Sequence, residues 1–152
     1  MNINAKWHKE LKLRDGTKET LIYTCDLNSI PQKPGVYIFF SRFGKSREIM
    51  YIGKAENLRT RIPQQLESVS LMLKIKKWGI GTKYLLFCIP EIKRGQKLKK
   101  VLTILEKGLI KHALSEGHEL INIHGTRKNY HKLSFRGTRI SEEFFGRKII
   151  SE

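Results

Sequence analysis

The chain has 152 residues, with 30 Lys and Arg against 14 Asp and Glu, for a formal net charge of +16. That length suits one domain able to bury a core. The charge calls for a polyanionic partner, nucleic acid ahead of an anionic membrane surface, since no basic amphipathic anchor is present. No stretch approaches membrane-spanning length, and the first six residues hold no apolar signal core. Cys25 and Cys88 are too few for a disulfide framework or a zinc-ligand cluster, so two free thiols in a reducing, cytoplasmic setting are expected. Ribosomal-type proteins share this composition, so charge alone does not imply an enzyme.

Residues 9–24 read as an N-terminal β-hairpin. Leu11 and Leu13 alternate with polar residues, Asp15-Gly16 is a two-residue turn signal, and 20–24 returns as a strand. A connector with Pro31 and Pro34 leads into two segments rich in β-branched and aromatic residues, 34–40 and 49–54. The polar linker between them, 41–48 with Gly44, predicts a second hairpin with a long loop. Asn57 is the expected N-cap of a helix reaching about Ser68. Pro63 inside it loses a hydrogen bond at a cost of about 3 kcal/mol, so either the helix kinks or its first turn stands apart.

A further short helix over 71–78 ends at Gly79-Ile80-Gly81, and 84–89 is an apolar strand stopped by Pro90. The longest helix is expected over 96–116, closed by Gly117 in a left-handed cap. Leu98, Leu102, Leu105, Leu109 and Ala113 fall in one narrow arc at about 100° per residue, and Gly108 weakens this helix by about 1 kcal/mol relative to Ala. Beyond Ile123 the chain is basic through Arg127, Lys128, Lys132, Arg136 and Arg139, interleaved with Tyr130 and Phe135. This tail reads as a phosphate-contacting surface whose removal leaves a folded domain. Trp78 is expected in the core, and Trp7 is left open.

Both strands of the second hairpin carry a tyrosine, Tyr37 and Tyr51, and the second ends in Gly53-Lys54, followed by Asn57, Arg59 and Arg61. Two phenols, a lysine and an arginine at one hairpin edge suit a phosphodiester better than a packed core, although each residue alone is ordinary in its place. Glu106 is the one acid between Ile92 and Ser115, among Lys93, Arg94, Lys97 and further lysines. It lies about 60° from the centre of the leucine arc, still on the broad apolar face. A carboxylate there needs a partner. That partner is a neighbouring lysine or arginine, or Mg²⁺, which takes one or two protein carboxylates and completes its shell with water and substrate phosphate. His118 and His124 around Glu119 read as surface histidines ahead of a zinc site, and His112 as a satisfied core histidine.

The joint pattern resembles the GIY-YIG nuclease superfamily, with Gly35-Val36-Tyr37 as the first motif and Tyr51-Ile52-Gly53 as the second. The family's essential Arg follows about ten residues past the second motif's Tyr, which Arg61 fits better than Arg59. Its metal-binding Glu lies on the helix after the third strand, matching Glu106, with Asn122 as counterpart of a supporting Asn. The resemblance spans about 30–123. It implies an α/β (α+β) domain with a central antiparallel sheet flanked by helices. The layout is an N-terminal extension with the extra hairpin at 1–30, the nuclease domain at 31–123, and a basic extension at 124–152 packed on the same domain.

The resemblance implies a Mg²⁺-dependent DNA endonuclease of restriction or phage type, with Mn²⁺ as the substituting ion. In it Tyr37 is the general base or water-positioning group, aided by the charge of Lys54, and Tyr51 orients the nucleophile. Arg61 stabilises the phosphate, and Glu106 holds the metal. Gly53, Arg59, Lys93, Arg94, Lys97, Arg127, Lys128, Lys132 and Arg136 are expected to contact nucleic acid. Many members place a Tyr or His four residues past the Arg to assist the proton relay; here that position is Gln65. The rivals are a GIY-YIG-fold module that grips nucleic acid without cutting, and a structural RNA-binding protein. DNA versus RNA and the oligomeric state stay open, since one metal site cuts one strand and a double-strand break needs a dimer or sequential nicks.

Overall fold

The computed structural model describes residues 1–122, 131–146 and 148–151, with side chains described for 1–122 and 133–146. Arg127, Lys128, Tyr130 and His124 lie outside the described residues, as does the side chain of Lys132. Nine strands and four α-helices are present among them. In chain order the first strands are β1 (Asn2–Trp7), β2 (Leu11–Lys12), β3 (Arg14–Asp15) and β4 (Tyr23–Thr24). Then come β5 (Gly35–Phe43), β6 (Ser46–Ala55), α1 (Leu58–Glu67), α2 (Val69–Trp78), β7 (Thr82–Glu91) and α3 (Leu98–Ser115). The chain ends with β8 (His131–Arg136), α4 (Arg139–Phe145) and β9 (Lys148–Ser151). The main sheet runs β6-β5-β7-β1-β8-β9, with β2 also paired to β7. Its β6-β5-β7-β1 portion is antiparallel as expected, while β1 and β8 pair in parallel, so the whole sheet is mixed.

The second hairpin is longer and tighter than its sequence suggests. Residues 41–43 and 46–48, all polar except Phe43, stay in the ladder, and only Gly44-Lys45 turn. Gly44 has φ 59 while Lys45 does not have positive φ, the requirement of a two-residue turn with glycine at its first central position. A bulge opposite Phe39/Phe40 makes Met50 the extra residue, pairing Tyr51 with Phe39 and Ile49 with Phe40. The alternation of β5 then sorts the core. Val36, Ile38 and Phe40 pack with α3, α4, β1 and β8, whereas Tyr37 and Phe39 pack with α1 and α2.

At the N-terminus, β3 and β4 form the expected hairpin, shorter than 9–24 because a 3-10 turn over Thr17–Glu19 fills its middle. Leu11–Lys12 pairs with β7 instead. Pro63 sits inside one continuous helix, capped by Asn57, whose side chain accepts the Thr60 N–H at 3.3 Å. Strand β7 runs through Pro90 to Glu91, past the expected stop. Its ladder with β5 ends at Cys88, so the missing N–H of Pro90 falls where no β5 partner remains. At the end of α3 the Gly117 N–H bonds Leu114 O and the His118 N–H bonds Ala113 O, the paired pattern of a left-handed glycine cap.

The described part of the basic tail is built into the sheet and core. Strand β8 is a sheet neighbour of β1, and Leu133, Phe135, Ile140, Phe144 and Phe145 are buried. Trp7, left open by the sequence, stacks on Phe135 at 5.5 Å and Phe145 at 5.4 Å. Trp78 is 41 % exposed, contrary to expectation, because it is the last residue of α2, where its indole N–H reaches Glu119 O. No described helix is long and apolar enough to cross a membrane.

Candidate active site

Hairpin β5–β6 and helix α1 bring the two motif tyrosines together. Gly35 has no room for a side chain: a Cβ would meet Cys88 O at 2.4 Å and Leu58 Cδ1 at 2.7 Å, so this glycine lets β5 lie against β7 and α1. Gly53 is cross-strand from Tyr37, and a Cβ there would fall 2.6 Å from the phenol Cζ and Oη. The absent side chain at Gly53 thus makes space for the Tyr37 phenol. The rings of Tyr37 and Tyr51 stack at 6.1 Å.

Gln65 closes this group from α1. Its Nε2 donates to Tyr37 Oη at 2.6 Å and lies 3.5 Å from Tyr51 Oη. The sequence marks Gln65 only as a departure from a relay residue; the structure makes it the direct partner of both phenols. Burial pushes the Tyr51 hydroxyl up to about 12, reinforced by the neighbouring Tyr37 phenol and the hydrogen bond to it. The Gln65 amide and the Arg61 charge pull the other way. Tyr51 therefore stays protonated at neutral pH and is a hydrogen-bond donor, not a base. Arg61 is exposed beside it, with its guanidinium 3.5 Å from Gln64 Oε1. Arg59 points elsewhere, donating to Ile30 O and Asn28 Oδ1 at 3.3 and 3.2 Å, and so ties α1 to the preceding connector.

Lys54 and Glu106 belong to the α3 side. Lys54 is three residues beyond Tyr51, hence on the other face of β6, and its Nζ donates to Thr103 Oγ1 at 2.8 Å. Thr103, one helical turn before Glu106, carries no motif that would mark it in the sequence. Glu106 is 6 % exposed, on the buried side of α3 that faces β6. Between the two groups lies β6 itself, the edge strand of the sheet. Asn122 pairs with its backbone, Oδ1 accepting the Ile52 N–H at 3.3 Å and Nδ2 donating to Ile52 O at 2.7 Å. The Ile121 N–H donates to Met50 O, and His118 Nδ1 accepts the Ile49 N–H at 3.1 Å.

Lys93, Arg94 and Lys97 are exposed on the loop between β7 and α3. Arg136 is exposed and ion-paired with Glu91. Among the described residues no group of three His, Cys, Asp or Glu could hold a metal by itself, and His118 spends Nδ1 on a backbone N–H. A single hard carboxylate in a cationic setting fits Mg²⁺ shared with substrate phosphate, not a self-sufficient zinc centre. Cys25 and Cys88 are free and buried, and burial raises their thiols to about 11 and about 12, so neither is a nucleophile at neutral pH.

Residues 33–88 match the family model of a UvrC-like GIY-YIG domain. Over this segment the chain is similar to the GIY-YIG nuclease superfamily. Over 50 residues it is 42 % identical to UvrABC system protein C of Finegoldia magna, a stretch covering 33 % of this chain and 8 % of that relative. No solved structure matches the chain. The matched GIY-YIG segment holds Tyr37, Tyr51, Gly53, Lys54, Arg61 and Gln65, and ends before the helix that carries Glu106.

Proposed function

We propose that the protein is a Mg²⁺-dependent endonuclease that hydrolyses DNA phosphodiesters from the edge of β6. The observation that carries this reading is the convergence of Tyr37, Tyr51 and Gln65 within hydrogen-bonding reach beside Arg61. Tyr37 Oη, accepting from Gln65 Nε2, would position the attacking water and, once its own proton has passed to solvent, take up the water's proton as that oxygen bonds phosphorus and the bond to the 3′ oxygen breaks. Tyr51, held neutral, would donate a hydrogen bond to water or phosphate. Arg61 would stabilise charge growing on the phosphoryl oxygens. Glu106 would hold the ion, and Lys54, fixed by Thr103, would add positive charge beside it. When bound, Mg²⁺ supplies Lewis-acid stabilisation of the leaving 3′ oxygen.

Asn122 would support the site by keeping β6 straight at Ile52, and Lys93, Arg94 and Lys97 would meet backbone phosphates. Arg59 and Arg136 are engaged with protein partners, which weakens their share in that contact. Residues 1–30, 31–123 and 124–152 would serve as extension, nuclease domain and basic extension of one unit.

One observation favours the rival reading, a nucleic-acid-binding module that does not cut. Gln65 satisfies the phenols with an amide that cannot carry a proton. Incubating purified protein with plasmid and Mg²⁺, against an EDTA control, decides between them. Nicking that EDTA stops, that Arg61→Ala abolishes and that excess Mg²⁺ does not rescue supports the enzyme. Binding without cleavage under any divalent ion establishes the module.

A further inference from the structure

The turn end of the β5–β6 hairpin carries a second concentration of cations. Arg42 and Arg47 stand directly opposite each other across the two strands, where like charges repel and weaken the pair. Glu143 of α4 offsets Arg47 at 2.7 Å, but the same carboxylate is shared with Arg139 at 3.5 Å. Arg42 has no carboxylate partner among the described residues. Its Cζ lies 4.8 Å over the Tyr84 ring and its Nη2 donates to Tyr84 Oη at 3.1 Å, which fixes the guanidinium plane without neutralising it.

These arginines line a cleft of about 460 Å³ together with Lys9, Glu10, Arg139 and Glu143. Four cations face two carboxylates there, brought from three separate parts of the chain. Arg47 Nε is buried and has no hydrogen-bond partner among the described residues, and a buried guanidinium N–H without an acceptor is costly. A planar donor set with an excess of positive charge matches a phosphate group.

We propose that this cleft is a second phosphate-binding site, separate from the one at Tyr37. Arg42 is five residues along β5 from Tyr37, about 17 Å at the rise of a strand. Tyr84 stacks on Phe40, which places Arg42 on the α3 and α4 face while Tyr37 faces α1 and α2. The occupant is therefore not the scissile phosphate. It is either the backbone of the same nucleic acid farther along its path, or free phosphate.

The test reads the Arg42 and Arg47 Nε–H resonances by NMR without divalent ion, so it stands whether or not the protein cuts. One arm titrates inorganic phosphate and the other a duplex oligonucleotide. The companion variant Lys9→Ala/Arg139→Ala removes two exposed rim cations that have no part in the phenol group. With the duplex, saturable shifts establish a backbone site if the variant also shows a shallower slope of log affinity against log salt, by about 0.9 for each phosphate it no longer neutralises. Saturable shifts with phosphate, weakened in the variant at an unchanged duplex slope, establish a free-phosphate site. Non-saturating shifts or none with both probes overturn the proposal.

Discussion

At Gly53 the packing of one residue controls the chemistry of two others. Adding a Cβ would push on Tyr37 at 2.6 Å, so Gly53→Ala is expected to displace the phenol from Gln65 and destabilise the protein by about 1–3 kcal/mol. Melting temperature and nicking rate measured on the same samples check both effects. Gln65→His puts a group that can carry a proton in contact with Tyr37, and is expected to raise the nicking rate, by up to about a hundredfold if the geometry is kept. A folded variant with no gain at any pH would show that solvent already relays the proton. Tyr51 sets a further expectation. Its pKa is raised from the ordinary 10.0 to about 12, so between those values the unfolded chain loses a proton that the folded one keeps. Stability is therefore present in full below pH 10 and is lost as pH rises toward 12. Tyr51→Phe should flatten that part of the stability curve. For Glu106→Ala, metal ligation predicts lost nicking in a protein that still binds DNA, whereas a purely structural carboxylate predicts a lower melting temperature and normal nicking per folded molecule.

The element on which the site turns is the edge strand β6, covered by the segment from His118 to Asn122. His118 Nδ1 accepts the Ile49 N–H only when the ring is neutral there, and burial lowers its pKa below the ordinary 6.5, with Glu116 opposing and His112 assisting. As pH falls below about 6.5 the unfolded chain takes up a proton that the folded one resists, so stability falls with acidification. Protection of the Ile49 amide, its exchange rate relative to the intrinsic rate at each pH, should fall over that range, and His118→Phe, which cannot accept, should lower that protection at every pH. This edge also shows what the sequence disclosed and what it hid. The Tyr37 and Tyr51 strands, the Asn57 cap and the Gly117 cap were legible because each rests on neighbouring residues. That Lys54 lies on the opposite face from Tyr51 was available in their three-residue separation, yet spacing alone did not reveal its partner Thr103. The direct bond from Gln65 to Tyr37 depends on how α1 docks on β5, and the pairing of Asn122 with Ile52 on a return of 70 residues; no local pattern encodes either.

On the scale of the molecule, the least legible relation joins the two ends of the chain. Strand β8 pairs in parallel with β1, Ala5 opposite Phe135, and that register lets Trp7 stack between Phe135 and Phe145. A polar, basic stretch gave no periodic signal for such long-range pairing, which is why it read as a removable tail. Its aromatic residues reverse that expectation. Truncation after Ile123 would strip Leu133, Phe135, Ile140, Phe144 and Phe145 from the α3 side of the core and leave β1 as an unpaired edge around an exposed Trp7. Loss of a single buried Phe side chain commonly costs about 3–5 kcal/mol, against a total stability of about 5–15 kcal/mol for a domain. The truncated protein is therefore expected to lose its cooperative thermal transition rather than only its affinity for DNA. Circular dichroism melts and the emission of Trp7, compared with a Trp78→Phe background, test this directly. A truncated protein that melts cooperatively with Trp7 still buried would show that the sheet is complete without β8, and the salt dependence of its DNA binding would then report the tail's phosphate contacts alone.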